Sequence, residues 1–484
     1  MNPKLTRRNF IGAAGAGVAV AGAAVGAHAQ RRTEDRPPNI LFLMTDEHSP
    51  HYLSCYGHDI VRTPVLDDLA RQGVRFTSAY CQNPICVPSR LSLITGKHPY
   101  EIGAWNNSCA LDDDEPTIAH AFNEQGYATA ALGKMHHVDG KPHGFTLWPT
   151  GSKGAYTNFR KPLSEYLKEH KIEKADRNPR SACDADWPAE LEPEYVVTEQ
   201  ALKFLDEHRD RPFCVWVSFP KPHFPFIAPR GFEDMYRGKG DLPRVTEQMI
   251  ANLPKHSVEY RAKYKMGSLT PAHIRLAREK YYSMVTFVDM LYGKVLGKLD
   301  ELGLRDNTII VYTSDHGEML GEHGLWYKNC MFESGAGIPM IVSFPRRLPR
   351  AATLDAPVGN IDLFPTLMDL AGHRIPDGLS GSSLVPLMTG KENGSDRVTF
   401  ADYYAHPLQI PQRMIRTQRW KYWHFIGDDP HLYDMQTDPD EERNLATEPR
   451  HRDLVAELRE RTLDGWDHQG FQEYQKAKKK AKKT

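Results

Sequence analysis

The strongest constraint on the fold of this 484-residue chain is a set of four short apolar runs, each followed directly by polar residues. The runs span residues 40–45, 127–132, 213–219 and 308–313. Helical sequence lies between them; for example, Thr63-Pro64 supplies an N-cap and a first-turn proline, and Gly73 ends that helix. Alternating buried strands and helices predict an α/β fold with a mostly parallel sheet flanked by helices.

The polar residues occupy the same position relative to each run. They are Asp46-Glu47, Lys134 to His137, Lys221-Pro222-His223 and Asp315-His316-Gly317. Ligands of an open parallel sheet bind beyond the carboxyl ends of its strands. These four segments are therefore expected to converge on one crevice, which predicts an active site.

The sequence pattern changes near residue 396. Short strand-like runs follow at residues 398–404, 413–417, 420–425 and 431–434, and a helix-like segment at 453–463. We therefore expect a catalytic α/β domain over residues 37–396, a smaller antiparallel subdomain over 397–470 and a basic, disordered tail over 471–484. The polar stretch 231–271 is interpreted as an insertion over the crevice.

The N-terminus has the features of an export signal. Thr6-Arg7-Arg8-Asn9-Phe10-Ile11 precedes a Gly/Ala-rich apolar stretch, and Ala27-His28-Ala29 resembles a cleavage site. A membrane anchor is the alternative, but the stretch is short and weakly apolar for a span. We predict a twin-arginine signal over residues 1–29, recognition by the twin-arginine translocase, and a periplasmic or secreted protein.

Charge and cysteine content exclude several classes of function. Lys and Arg number 61 and Asp and Glu 62, so no overall field attracts nucleic acid, and a small substrate fits better. The seven cysteines include no Cys-x-x-Cys pair, which argues against a thiolate zinc site. No particular disulfide is predicted.

Cys86-Val87-Pro88-Ser89-Arg90 is the most informative motif. Pro88 suits a first helical turn and Gly96 could end that helix, which places residue 86 at a helix N-terminus, where anions are favoured. On these grounds alone, a buried structural thiol is equally compatible. The motif resembles the Cys-x-Pro-Ser-Arg signature at which type I sulfatases have their cysteine oxidised to formylglycine.

Other sulfatase-like segments occur in order around this motif and cover nearly the whole chain after the signal. They lie at residues 39–46, 133–136, 221–223, 314–317, 321–328 and 433–445. The chain thus resembles the formylglycine-dependent type I sulfatases of the alkaline-phosphatase superfamily, and leans towards their choline-sulfatase-like and iduronate-sulfatase-like branch. The resemblance implies an alkaline-phosphatase-like fold and hydrolysis of a sulfate ester.

The resemblance also implies a metal site. Asp46, Asp315, Glu47 and His316 form an oxygen-rich set that suits one hard divalent cation. Calcium is favoured, with manganese and magnesium left open. The family usually has a second Asp where Glu47 stands, so Glu47 is the least secure ligand.

Roles for the remaining residues follow from the same resemblance. Arg90, Lys134 and Lys328 would hold the sulfate oxygens and the hydrated aldehyde of residue 86, which a formylglycine-generating enzyme installs during maturation. The alcohol would leave with a proton from His223 or Lys328. His136 would take a proton as sulfate departs, with His137 as an alternative that sequence cannot rank.

Two other functions and several substrates remain open. The chain could be a phosphonate monoester or phosphodiester hydrolase of the same superfamily, or a non-catalytic protein that binds sulfated ligands. The substrate could be a sugar, choline or aryl sulfate, selected by loops at residues 112–115, 148–186 and 224–241. Trp148, Trp187 and Phe226 could form an aromatic box for choline, although loop aromatics more often pack or stack on sugars.

Overall fold

The computed structural model describes residues 36–148, 157–173 and 175–481. Its helices are α1 (Pro64–Gln72), α2 (Cys86–Thr95), α3 (Ile118–Glu124), α4 (Thr157–Glu169), α5 (Pro193–His208), α6 (Glu247–Ala251), α7 (Lys255–Lys263), α8 (Pro271–Glu301), α9 (Glu333–Ala336), α10 (Leu363–Leu370), α11 (Val385–Met388), α12 (Arg452–Leu463) and α13 (Gln469–Ala481). The predicted export signal lies outside the described residues.

The strands are β1 (Asn39–Asp46), β2 (Val74–Phe76), β3 (Ala79–Tyr80), β4 (Ala128–Gly133), β5 (Cys183–Asp184), β6 (Phe213–Pro222), β7 (Ile227–Ala228), β8 (Thr308–Ser314), β9 (Met340–Ser343), β10 (Ala352–Leu354), β11 (Val358–Gly359), β12 (Thr399–Tyr403), β13 (Gln412–Arg416), β14 (Trp420–Phe425) and β15 (His431–Asp434). The main sheet has seven strands in the order β10-β2-β9-β8-β1-β6-β4. The four predicted strands are therefore neighbours, and they pair in parallel, as at Leu43 with Val217 and Tyr312.

The apolar runs are continuous because helices cover both faces of the sheet. Along β1, Phe42 and Met44 join one hydrophobic cluster, whereas Leu41 and Leu43 join the cluster on the opposite face. Alternate side chains of a strand point to opposite faces, so both sets are buried here. The mostly parallel α/β architecture is confirmed. The short β9 runs antiparallel to β8 and β2, which the sequence did not predict.

The C-terminal subdomain is an antiparallel meander of β12, β13, β14 and β15, as the sequence predicted. Lys421 joins it to the catalytic domain through an ion pair with Glu333, and Lys421 is also paired with Glu441 of the subdomain itself. Lys421 Nζ lies 2.8 Å from Glu333 Oε1 and 2.7 Å from Glu441 Oε1. Breaking a buried pair of this kind by removing one partner typically costs about 3–5 kcal/mol, so Lys421 fixes the two parts together.

The prediction of a disordered tail is wrong for residues 471–481, the part of the tail that the structure describes. Residues 469–481 form the helix α13, and Phe471 is buried in a cluster with Trp105, Tyr404 and Trp466. Aromatic burial on one side offsets the entropy cost of ordering a lysine-rich segment. Within the described ranges, none of the helices has both the length and the hydrophobicity of a membrane span.

Candidate active site at the carboxyl edge of the sheet

The predicted polar clusters meet at the carboxyl ends of β8, β1, β6 and β4. Asp46 is the last residue of β1 and Asp315 follows β8, while Lys134 follows β4 and His223 follows β6. The helix α2 begins at the same edge, and its first residue is Cys86. The structure thus brings together residues separated by up to 281 positions, as in the contact between Glu47 and Lys328.

The thiol of Cys86 lies at the centre of the site. Its Sγ is 3.2 Å from His316 Nε2, 3.7 Å from Asp46 Oδ1 and 3.8 Å from Lys134 Nζ. Burial alone would raise the pKa of this thiol, but Lys134, Lys328 and His316 together lower it well below its usual value. The environment therefore stabilises negative charge at residue 86, as a position that carries a nucleophile requires.

Asp46, Asp315 and His316 surround this thiol in a compact donor set. One donor atom from each of these residues and from Cys86 lies within 4.8 Å of the others, and all four side chains are buried. Burial raises the pKa of the Asp315 carboxyl; Arg90 partly offsets this, and Asp46 adds to the increase. Two acids and an imidazole held this close fit a hard divalent cation, which would relieve the repulsion between the carboxylates.

Arg90 occupies a different position from the one expected. Its Nε lies 2.8 Å from Asp315 Oδ2 and its Nη2 3.1 Å from Asp46 Oδ2, and Nη1 donates to Ser218 Oγ at 3.0 Å. The side chain is only 1% exposed. The structure therefore places Arg90 as a buried counterion that orients two acids, where the sequence predicted a contact with sulfate.

The two adjacent histidines can be ranked by where they point. His136 lines the cavity above Cys86 and hydrogen-bonds to it. His137 turns away: its ring stacks on Trp148 with centroids 5.0 Å apart, and its Nδ1 lies 3.0 Å from the carbonyl oxygen of Lys141. Burial lowers the pKa of His137 to about 3, as expected for a packed, neutral ring. Of the two histidines, His136 is therefore the one that faces the cavity.

Lys328, Glu47 and His223 form a second polar group beside the thiol. Lys328 Nζ lies 2.6 Å from Glu47 Oε2 and 3.1 Å from His223 Nε2. Burial and then the nearby Lys328 lower the pKa of His223 to about 3. Burial opposes the charge on Lys328, but Glu47, Cys86 and Asp46 raise its pKa above the usual value. Of Lys328 and His223, Lys328 is therefore the residue that carries the proton.

Glu47 lies apart from the donor set around Asp315 and His316. Its backbone is in the left-handed region at φ 63°, and its N–H donates to Asp315 Oδ1 at 3.1 Å. Its carboxylate groups with Asp46 and His223 instead, again within 4.8 Å. Lys328 neutralises one carboxylate oxygen, so we interpret Glu47 first as the counterion of Lys328 and only second as a metal ligand.

Glu318 is a site residue that the sequence pattern did not predict. This buried acid accepts hydrogen bonds from the backbone N–H groups of Leu320, at 2.8 Å, and Tyr327. Its carboxyl also lies beside that of Glu47. Burial raises its pKa. Glu318 therefore fixes the loop that carries Lys328. Its position two residues after His316, in the same segment at the end of a strand, is the sequence signal that could have revealed it.

A cavity of about 1350 Å³ opens above these residues. Its floor includes Cys86, Lys134 and Lys328, and its walls come from α4, α7, α13 and the loops between them. Tyr260 of α7 lies in the wall, as expected for an insertion over the crevice. Pockets for small ligands usually measure about 300–1,000 Å³, so this cavity can accept a ligand larger than a single small molecule.

The aromatic box for choline, the less favoured alternative from the sequence, does not form, and the three rings pack instead. Trp148 stacks on His137, and Phe226 is buried with its ring 5.6 Å from that of Trp326. Trp187 alone of the three lines the cavity, and its Nε1 donates to Glu192 Oε1 at 3.0 Å. Because these rings serve packing and a buried hydrogen bond, they cannot enclose a quaternary ammonium group.

Comparison with known proteins agrees with this geometry. A sequence model of the sulfatase family matches residues 38–373, and the model of the N-sulphoglucosamine sulphohydrolase C-terminal region matches residues 321–467. A choline-sulfatase of Rhizobium meliloti is 30% identical, covering 90% of this chain and 88% of its own. An N-acetylglucosamine-6-O-sulfatase of Bacteroides thetaiotaomicron is 29% identical over 88% of this chain and 86% of its own.

A solved structure of similar fold is the phosphonate monoester hydrolase SpPMH from Silicibacter pomeroyi. It superposes with a TM-score of 0.75 at 25% identity, covering 89% of this chain and 96% of the other. This similarity confirms the fold over both the large sheet and the C-terminal subdomain.

Proposed function

Because the chain belongs to the sulfatase family of sulfuric ester hydrolases, we propose that it acts through a formylglycine formed from Cys86 and a bound divalent cation. The observation that carries this proposal is the position of the Cys86 thiol. It lies at a helix N-terminus, within contact of His316 and Asp46, on the floor of a large cavity. A structural thiol would not need two lysines and a metal-type donor set around it.

The two groups added to the chain have distinct functions. Formylglycine, made by a formylglycine-generating enzyme, would supply when hydrated one hydroxyl to displace the alcohol from sulfur and a second to let sulfate leave. The cation would supply positive charge for the developing oxyanions. Asp46, Asp315 and His316 would hold it together with the side chain of residue 86. The resemblance to the type I sulfatases favours calcium over manganese or magnesium.

The remaining side chains bind sulfate and move protons. Lys134 and Lys328 line the cavity and offer charge-assisted hydrogen bonds to sulfate oxygens. His136 hydrogen-bonds to residue 86, where it can accept the proton released as sulfate departs. Lys328 holds the proton for the leaving alcohol, and His223 Nε2 lies 3.1 Å away, where it can pass that proton on.

Removing His223 tests the leaving-group step. An alkoxide needs a proton far more than a nitrophenolate does, and general acids typically contribute about 10²- to 10⁴-fold in rate. We expect His223→Ala to slow hydrolysis of an alkyl or sugar sulfate by about that factor and nitrophenyl sulfate much less. Lys328→Ala should harm both, because Lys328 also holds sulfate. Steady-state kinetics on the two substrates decide, and equal losses for His223→Ala would assign the acid role to Lys328 alone.

A phosphonate monoester or phosphodiester hydrolase is the competing proposal. The structural similarity to SpPMH at a TM-score of 0.75 supports considering it. Relative kcat/KM on aryl sulfate and aryl phosphonate esters with the same leaving group distinguishes the two. We expect the sulfate ester to be preferred, and a preference for the phosphonate would overturn the assignment of sulfate as the main substrate. Binding of sulfate with no turnover would indicate the non-catalytic alternative.

We propose a sulfated carbohydrate as the substrate, rather than choline or a simple aryl sulfate. The size of the cavity and the rings of Phe224, Tyr264 and Tyr327 in its wall support a sugar, because aromatic faces stack on sugar rings. The relative named as an N-acetylglucosamine-6-O-sulfatase supports the same class. The absence of an aromatic box at Trp148, Trp187 and Phe226 removes the feature that favoured choline.

We also propose export through the twin-arginine pathway, on the basis of Thr6-Arg7-Arg8-Asn9-Phe10-Ile11. This route carries folded proteins, which suits an enzyme whose aldehyde and metal are installed beforehand. Replacing Arg7 and Arg8 by lysine should retain the precursor in the cytosol, as measured by fractionation and sulfatase assay. Undiminished periplasmic activity would show that another signal directs export.

A further inference from the structure

The helix α13 forms part of the cavity wall next to the catalytic residues. Phe471 anchors it, with ring centroids 5.8 Å from Trp105 and 5.3 Å from Tyr404. Tyr474 adds a hydrogen bond, since Asn106 Nδ2 donates to its hydroxyl at 3.2 Å. Asn106 itself lines the cavity. The helix is therefore fixed against the catalytic domain, and its residues have defined positions over the site.

One face of α13 points into the cavity. Tyr474, Gln475, Lys478 and Lys479 line it, at the i, i+1, i+4, i+5 spacing of a single helical face. Lys476 and Lys480 lie on the opposite face and are exposed. The same helix thus carries two pairs of lysines, and only one pair faces the substrate.

The cavity is far more basic than the chain as a whole. Four exposed basic residues line its solvent-facing part, namely Arg160, Arg177, Lys478 and Lys479. The lining contains three acids, Asp176, Glu192 and Glu194. Two of these acids share the single positive charge of Lys221, whose Nζ lies 2.7 Å from Glu192 Oε2 and 3.7 Å from Glu194 Oε2.

This excess is local, because Lys and Arg number 61 and Asp and Glu 62 over the whole chain. A cleft lined by one sign of charge concentrates ligands of the opposite sign. One sulfate ester on the substrate would already be bound by Lys134 and Lys328 on the floor. The further basic residues on the wall are not needed for that group, so they point to additional negative charge on the ligand.

We propose that Arg160, Arg177, Lys478 and Lys479 form a second anion-binding subsite, which holds another sulfate or carboxylate group of the same substrate. This inference rests on the proposed sulfatase function and narrows its substrate to a polyanionic glycan. The rings of Tyr264 and Tyr327 line the same cavity, where they can contact the sugars of such a substrate. The exposed positions of the four cations make the interaction dependent on ionic strength.

Calorimetric titration at low ionic strength tests the subsite. The probes are inorganic sulfate and three tetrasaccharides that share one sulfate group: one has no other charge, one has two further sulfates and one has two carboxylates. The full chain carries Cys86→Ala so that no probe is hydrolysed. We expect each polyanion to bind about tenfold or more tightly than the monosulfated sugar, and the pair Lys478→Gln and Lys479→Gln to weaken polyanion binding about fivefold. Binding of inorganic sulfate should not change.

The matched control is the pair Lys476→Gln and Lys480→Gln, which removes the same charge from the same helix on its other face. If both double variants lose the same polyanion affinity, the lysines act only through long-range charge attraction, and the proposed subsite is wrong. Equal affinity for all three tetrasaccharides would also overturn it. Circular dichroism checks that the helix persists in each variant. Hydrolysis of nitrophenyl sulfate by the unmutated enzyme reports on the sulfatase function separately, so failure of either claim is recognisable.

Discussion

Replacing Cys86 by alanine should reduce sulfate ester hydrolysis by at least about 10⁴-fold, because the residue that attacks sulfur is lost. The folded state should persist, since the change removes one small buried group and the surrounding ion pairs remain. Steady-state kinetics and thermal unfolding of the purified variant measure the two effects.

A second cysteine provides the control. Cys55 is half-buried and does not line the cavity. Burial raises the pKa of its thiol to about 12, so the thiol stays neutral. Cys55→Ala should retain full turnover. Substantial activity in Cys86→Ala would show that residue 86 is a structural thiol and that another group attacks the ester.

Asp315→Asn should lower the affinity for the divalent cation by at least about 100-fold and turnover by a comparable or larger factor. The change preserves the size of the side chain but removes one of two carboxylates in the donor set. It also removes an ion pair of Arg90, whose Nε lies 2.8 Å from Asp315 Oδ2. Metal analysis after dialysis, together with titration of calcium, manganese and magnesium, measures the change.

Glu47→Gln provides the matched comparison, since it neutralises an adjacent acid in the same crevice. The contact of Glu47 with Lys328 at 2.6 Å leads us to expect retention of the metal and a loss of turnover through Lys328. A melting temperature close to that of the unmutated protein would exclude unfolding as the cause. Full metal occupancy in Asp315→Asn, or loss of metal only in Glu47→Gln, would contradict the ligand set.

The central strands and their polar ends could be predicted because the same residues carry both signals. Because the run at residues 308–313 is mostly apolar on both of its faces, it is expected to be a strand buried on both faces. Asp315-His316 must then lie at the carboxyl end of that strand. The structure adds the order of these strands, since it places β8, β1, β6 and β4 side by side. The meeting of these polar residues at one edge of the sheet could therefore be predicted without knowing the conformation of the loops.

Side-chain direction and long-range packing could not be predicted in this way. Arg90 lies in the motif expected to bind sulfate, but its partners Asp46 and Asp315 are fixed only when three elements meet. The composition of α13 indicates a solvated tail, and its order depends on Phe471 reaching Trp105 and Tyr404 far away in sequence. His136 and His137 differ only in which one faces the cavity, which sequence spacing does not determine.

We expect residue 86 to be a formylglycine in the active enzyme. Mass spectrometry of the tryptic peptide spanning residues 76–90, from protein whose turnover has been measured, tests it most directly. We predict that active preparations contain the aldehyde form, in which the CH₂SH side chain has become CHO, and that specific activity rises in proportion to its fraction. Fully active protein with only the unmodified thiol at Cys86 would contradict the account.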